Sequence, residues 1–220
     1  MKDDFKNIVS TDWLEQHLEA PDIRIIDSSW YFPQEKRNAE QEFLECHIPG
    51  ASFFDIDKIK DNDSDLPHML PPSAMFNSTV RKLGIGDGHK VVIYDGLGMR
   101  SAARLWWMFK VFGYSDVVVL DGGFPKWVKE NRSTTADLTE KEIRHLTIYE
   151  DKSIVADRDD VLRATKLNHC SIIDARSEER FMGTAPEPRS GLRSGSIENS
   201  INVPYETLLN EDFTFKSKRE

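Results

Sequence analysis

Two short runs, VVIYD (91–95) and VVVLDGG (117–123), are apolar at nearly every position, the pattern of strands buried on both faces of a sheet. Between them, SAARLWWMFKVFG (101–113) repeats apolar residues at helical spacing and stops at Gly113; core packing is the expected use of Trp106, Trp107, Phe109 and Phe112. Upstream, a short helix capped by Ser10 or Thr11 runs through Leu18, and RIIDSSW (24–30) is a strand. EKRNAEQEFLECH (35–47) has the pattern of a surface helix, and IPGASFFDID (48–57) that of a turn at Pro49-Gly50 followed by a strand through Phe53 and Phe54. Acidic residues, Ser and prolines make 57–72 a long irregular loop. SAMFNSTVRKLG (73–84) is an amphipathic helix closed by Gly84, and FPKWVKE (124–130) a short one. Strands alternating with helices predict an α/β fold with an open parallel sheet flanked by helices.

From about 131 the chain turns polar, and the order of segments then restarts. DRDDVLRATKLN (157–168) predicts a helix, CSIIDARSEERF (170–181) a strand then a helix, and SINVPYETLL (200–209) a strand then a turn. RIIDSSWYF (24–32) parallels SIIDARSEERF (171–181), and HIPGASFFDID (47–57) parallels SIENSINVPYE (196–206). An ordered internal repeat of this kind predicts two copies of one domain. The division is a first domain over 1–133, a linker over 134–150 and a second, incomplete domain over 151–220. In the first copy VVIYDGLGMRS comes next; no counterpart follows in the second.

Composition narrows the chemistry. With 29 Lys and Arg against 38 Asp and Glu, the net charge of −9 argues against non-specific nucleic-acid binding. No apolar run has the length of a membrane span, and MKDDFKNIVS has no signal-type apolar core, so a cytoplasmic location is expected. Cys46 and Cys170 are too few for a disulfide framework or a four-cysteine zinc site, and neither metal nor cofactor is expected. GLGMRS (96–101) lacks the Gly-Lys-Ser/Thr of a phosphate loop, and Asp95-Gly96-Leu97 is not the Asp-x-Asp of aspartate phosphatases.

The segments IIDSSWYFP, HIPGASFFDID, LPHMLPP, VVIYDGLGMRSAARLWWMFKVFGY, LDGGFPKW, IIDARSEERFMGTAPEPRSGLRSG and INVPYETLL resemble, in order and over nearly the whole chain, the tandem rhodanese-domain sulfurtransferases of the 3-mercaptopyruvate and thiosulfate type. The resemblance implies a rhodanese fold in both copies, with the first normally inactive. In the second, a Cys at the start of the loop after the central strand takes sulfur from a donor as a persulfide and passes it to a thiol or cyanide. That loop would lie beyond Glu220, so the resemblance implies a chain truncated at its C-terminus and lacking its nucleophile. Cys46 ends a surface helix and Cys170 precedes a strand, so neither maps onto that nucleophile.

The same resemblance implies that Arg180 and Arg189 bind the donor's carboxylate, with Arg193 a lesser candidate, and that Asp57 and His68 belong to a serine-protease-like triad whose Ser sits in the absent loop. The loop Asp95, Gly96, Gly98, Arg100 becomes an inactive counterpart, its carboxylate satisfying the N–H groups that would otherwise hold a thiolate. Trp30 faces either the interdomain cleft or a domain interface. Expected partners are a small anionic sulfur donor, a thiol acceptor, and either a second copy or a complementing C-terminal segment. The alternative function is a non-catalytic anion-binding or interaction module.

Overall fold

The computed structural model describes residues 7–167, 170–189 and 191–217, in two compact units: residues up to 151 with 212–214, and 152–211 with the segment from 215. In the first unit, strands β1 (Ile8–Val9), β2 (Ile23–Asp27), β3 (Ser52–Phe53), β4 (Lys90–Tyr94) and β5 (Val117–Leu120) form one sheet in the order β1-β5-β4-β2-β3. Every pairing is parallel. The apolar run of β4 lies at the centre, where Val91 to Tyr94 are fully buried. Five helices accompany these strands: α1 (Thr11–Gln16), α2 (Ala39–Glu45), α3 (Ser73–Lys82), α4 (Ala102–Val111) and α5 (Gly123–Lys129). Ile25, Val92, Tyr94, Val118 and Leu120 pack with Leu14, Phe43 and Trp127 in one core. Phe76 of α3 meets Phe109 of α4 edge-on and stacks on Phe112, which caps that helix.

This topology decides where chemistry can sit. The chain passes from β2 outward to β3, then returns to place β4 on the other side of β2. Ligands of open α/β sheets bind where strand order reverses, beyond the carboxyl ends of the strands. The register aligns Asp27 with Tyr94, so the loops after β2 and β4 leave the sheet side by side.

Several elements differ from expectation. The stretch 35–47 is not one helix. A 3-10 turn occupies Pro33–Glu35, Lys36 takes a left-handed conformation, and α2 starts only after Asn38, whose side chain accepts from the Gln41 amide. Ser10 caps α1, while Thr11 is buried and donates to Glu130. Strand β1 was not foreseen, and β3 ends at Phe53 rather than Phe54. Trp106 and Trp107 are half-buried, not core. The polar stretch 134–150 has no helix and forms only an isolated bridge between Thr135 and His47, yet it is strapped to the first unit. Leu146 is 3% exposed, the Thr147 amide donates to Asp87, and the Tyr149 amide to the Phe112 carbonyl.

The second unit contains α6 (Arg158–Ala164), β6 (Ile172–Asp174), α7 (Glu178–Met182) and β7 (Ser200–Asn202). β6 and β7 pair in parallel, Ile173 opposite Ile201. None of this unit's described residues is buried; Ile173 is 65% and Ile201 55% exposed.

Candidate active site

At the carboxyl end of β4, Asp95 is 1% exposed. Its Oδ1 accepts the Leu97 amide at 2.9 Å; its Oδ2 accepts the amides of Arg100 at 2.6 Å and Ala102 at 2.8 Å. Gly98 and Met99 both have positive φ, 78° and 68°, and curl the loop around the carboxylate. Three amides converging at the start of α4 make an anion cradle, with the helix dipole adding to it. The protein's own carboxylate fills it. The Arg100 side chain instead reaches Glu35 at 3.4 Å.

A second buried carboxylate stands beside it. Asp27 accepts from the Ser29 amide at 2.8 Å and the Ser29 hydroxyl at 2.5 Å. Ser29 Oγ in turn accepts the Gly96 amide at 2.8 Å, tying the two loops together. Burial pushes the Asp27 carboxyl up to about 6, its bonds to Ser29 and Tyr94 opposing and the Asp95 charge adding to the rise. A Cβ at Gly96 would stand 2.3 Å from the Tyr31 hydroxyl, so a larger residue there would displace that ring.

The structure brings Asp57 and His68 together. His68 Nε2 lies 2.6 Å from Asp57 Oδ1. A carboxylate only accepts, so Nε2 carries the proton in this contact. The Trp30 indole N–H donates to Asp57 Oδ2 at 3.0 Å, and its ring meets the imidazole edge-on with centroids 5.0 Å apart. Trp30 and Asp57 line a cleft of about 210 Å³ with Ser29, Arg37 and Asp55. Asp57 follows β3 and Trp30 follows β2, so both stand at the carboxyl edge of the sheet.

In the second unit, Arg180 on α7 donates to Glu187 at 2.6 Å. Arg176 bonds the same carboxylate at 2.9 Å and also Asp174. The two guanidiniums lower the Glu187 carboxyl below its ordinary value, the Arg180 bond contributing most. Arg189 is half-buried and Arg193 exposed. Cys46 caps the C-terminus of α2 and is half-buried; Cys170 is exposed. Sequence reasoning missed Ser29 and Glu187. Each lies two positions from a recognised residue, Ser29 after Asp27 of the strand end IID and Glu187 before Arg189 of EPR.

The family model described as Rhodanese-like domain matches residues 10–130. The chain is 38% identical to the 3-mercaptopyruvate sulfurtransferase of Rattus norvegicus over 98% of its own length and 75% of the relative's. It is 42% identical to thiosulfate/3-mercaptopyruvate sulfurtransferase 1, mitochondrial, of Arabidopsis thaliana, over 92% of this chain and 59% of that one. Among solved structures, the 3-mercaptopyruvate sulfotransferase SseA of Escherichia coli superposes with a TM-score of 0.86 at 37% identity, covering 96% of this chain and 79% of that one. Among the described residues no helix is long and apolar enough to cross a membrane. With the parallel sheet, the domain match and similarity over nearly all of this chain pointing one way, this chain belongs to the rhodanese family, among the 3-mercaptopyruvate and thiosulfate sulfurtransferases.

Proposed function

We propose that this chain binds a small anionic donor of the 3-mercaptopyruvate type and supplies the proton relay for its cleavage, while the sulfur-accepting thiolate is neither Cys46 nor Cys170. The observation that carries this reading is the 2.6 Å contact between His68 and Asp57 at the carboxyl edge of the sheet. An imidazole held by a carboxylate moves protons, which mercaptopyruvate cleavage needs. A thiolate attacks the donor's sulfur and an S–S bond forms. The C–S bond breaks, its electron pair leaves with carbon, and that carbon takes up a proton. The sulfur then passes to a thiol or cyanide. Arg180 and Arg189 suit the donor carboxylate, because a guanidinium fork matches two oxygens.

Among the described residues neither cysteine stands in a cradle of amides, whereas Asp95 does. The first unit is therefore read as the inactive rhodanese copy. The second is read as a partial copy: β6 and β7 repeat the parallel pairing of β2 and β3, each with Asp at the end of its first strand. In the first unit β2 has β4 on its other edge. A strand of that kind, from a complementing segment or a second copy, is the partner expected for β6. Unpaired cysteines suit a reducing compartment such as the cytoplasm. One observation favours a non-catalytic interaction module instead: the amide cradle at the start of α4 is closed by the chain's own carboxylate.

The test is thiocyanate formation from 3-mercaptopyruvate and cyanide, with calorimetric titration of pyruvate as a donor mimic. The chain alone is expected to bind pyruvate, to lose that binding in R180Q, and to form no thiocyanate. Turnover abolished by C46S or C170S would overturn the assignment of the thiolate. Absence of pyruvate binding would overturn donor recognition.

A further inference from the structure

His68 holds an unusual backbone. Its φ is 55°, in the left-handed region where a residue with a Cβ is strained. Such strain persists only where the surroundings enforce it. Between Pro67 and Met69 the loop has no helix or strand to do so. One restraint comes from the first turn of α4. Arg104 Nη2 donates to the His68 carbonyl at 2.5 Å, across 36 residues. The Arg104 guanidinium lies 4.6 Å from the centre of the Trp107 ring, one helical turn further on. Its Nε is buried without a hydrogen-bond partner among the described residues. Leaving a buried donor unmet costs free energy, so this rotamer is retained at some expense. The same side chain, freed from the loop, has a simpler solution in water.

We propose that Arg104 is a positioning residue: by holding the His68 carbonyl it fixes the left-handed backbone that aims the imidazole at Asp57. The proposal rests on the reading of Asp57 and His68 as a proton relay. The geometry runs in one line. Trp107 carries the guanidinium, the guanidinium holds the carbonyl, and the carbonyl fixes the backbone that sets the direction of the Cα–Cβ bond. The ring then reaches Asp57 on one side and the edge of Trp30 on the other. Without Arg104, rotation of the 67–69 peptides towards ordinary φ swings the imidazole off the carboxylate.

The experiment observes the His68 ring directly by 15N-edited NMR of the imidazoles, so it needs neither donor nor turnover. Wild type is expected to show a protected Nε2–H bonded to a carboxylate, assigned by its disappearance in D57N. R104M keeps the bulk of the side chain but cannot donate. It should expose that proton to exchange about tenfold faster or more, as loss of one charge-assisted bond implies. R104K, which still donates, should restore most of the protection. The signals of His17 and His145 serve as controls for the fold. Should R104M fail to fold, W107L decides, because it removes the ring beneath the guanidinium and leaves the arginine in place. It should loosen the same proton. A folded R104M or W107L with the wild-type His68 signature overturns the proposal, whatever the pyruvate titration shows. Failed pyruvate binding with a changed signature overturns donor recognition alone.

Discussion

The carboxylate of Asp95 accepts the amide of Ala102 at 2.8 Å, so the first turn of α4 is closed by an anion belonging to the chain. The Arg100 and Leu97 amides complete the arrangement. A thiolate placed at the same point would meet the same three donors and the same helix dipole, both of which favour the charged form. D95C is therefore expected to carry a thiol titrating below the ordinary value of about 8.5. Thiolate absorbance followed against pH measures it. An ordinary titration would show that the loop does not act as an anion cradle. D95A, which leaves the amides without an acceptor, is expected to cost about 1–3 kcal/mol in urea denaturation.

Asp27 gives the fold a pH dependence of unusual sign for a carboxylate. Burial raises its folded value to about 6, above the roughly 3.9 of an unfolded chain. Between these values the folded state binds more protons, so rising pH costs stability. The cost builds from about pH 4 to about pH 6 and amounts to about 2–3 kcal/mol at neutrality. D27N keeps an acceptor for Ser29 and removes the charge. The stability difference between D27N and wild type should therefore grow in favour of the variant as pH rises from 4 to 7. A difference flat with pH would mean that Asp27 titrates as an ordinary carboxyl.

The parts legible in the sequence are those set by local pattern. An unbroken apolar run identifies β4 as the central strand, and the turn after it places Asp95 at the carboxyl edge. Asp57 and His68 were recognisable only through the family resemblance; spacing alone says nothing of a contact formed across a loop. What escaped depends on partners far along the chain. Two residues, Ile8 and Val9, are a strand only because β5 offers an edge. The break within 35–47 follows from the left-handed Lys36 and the Asn38 cap, a cost that helical periodicity does not register. Arg104 carries no signal in the sequence, because its partner is a backbone carbonyl 36 residues away.

Glu187 ties Arg180 to Arg176, and its side chain is only 5% exposed. Neutralising it removes the anchor that keeps the Arg180 fork in one orientation. E187Q is expected to weaken pyruvate binding about tenfold, and R180Q about ten- to a hundredfold, in line with losing charge-assisted bonds. R180K should recover only part, since an ammonium cannot make the two parallel bonds of a guanidinium. Calorimetry on the three variants gives the order. Equal affinities for E187Q and wild type would mean that Arg180 needs no anchor.

The polar stretch 134–150 behaves as part of the first unit's structure. Leu146 is buried at 3% exposure, and the neighbouring Thr147 donates to Asp87 through both its amide and its hydroxyl. A flexible tether would gain nothing from either. L146A leaves a cavity and is expected to destabilise the first unit by about 2–4 kcal/mol, the usual range for a buried leucine. D87A, which breaks two exposed bonds, should cost about 1 kcal/mol. Because Leu146 and Thr147 are neighbours on one strap, the two losses should not add independently, and the double variant should cost less than their sum. Urea denaturation of the single and double variants measures the coupling. Stability unchanged in L146A would show that the strap can leave the surface without consequence.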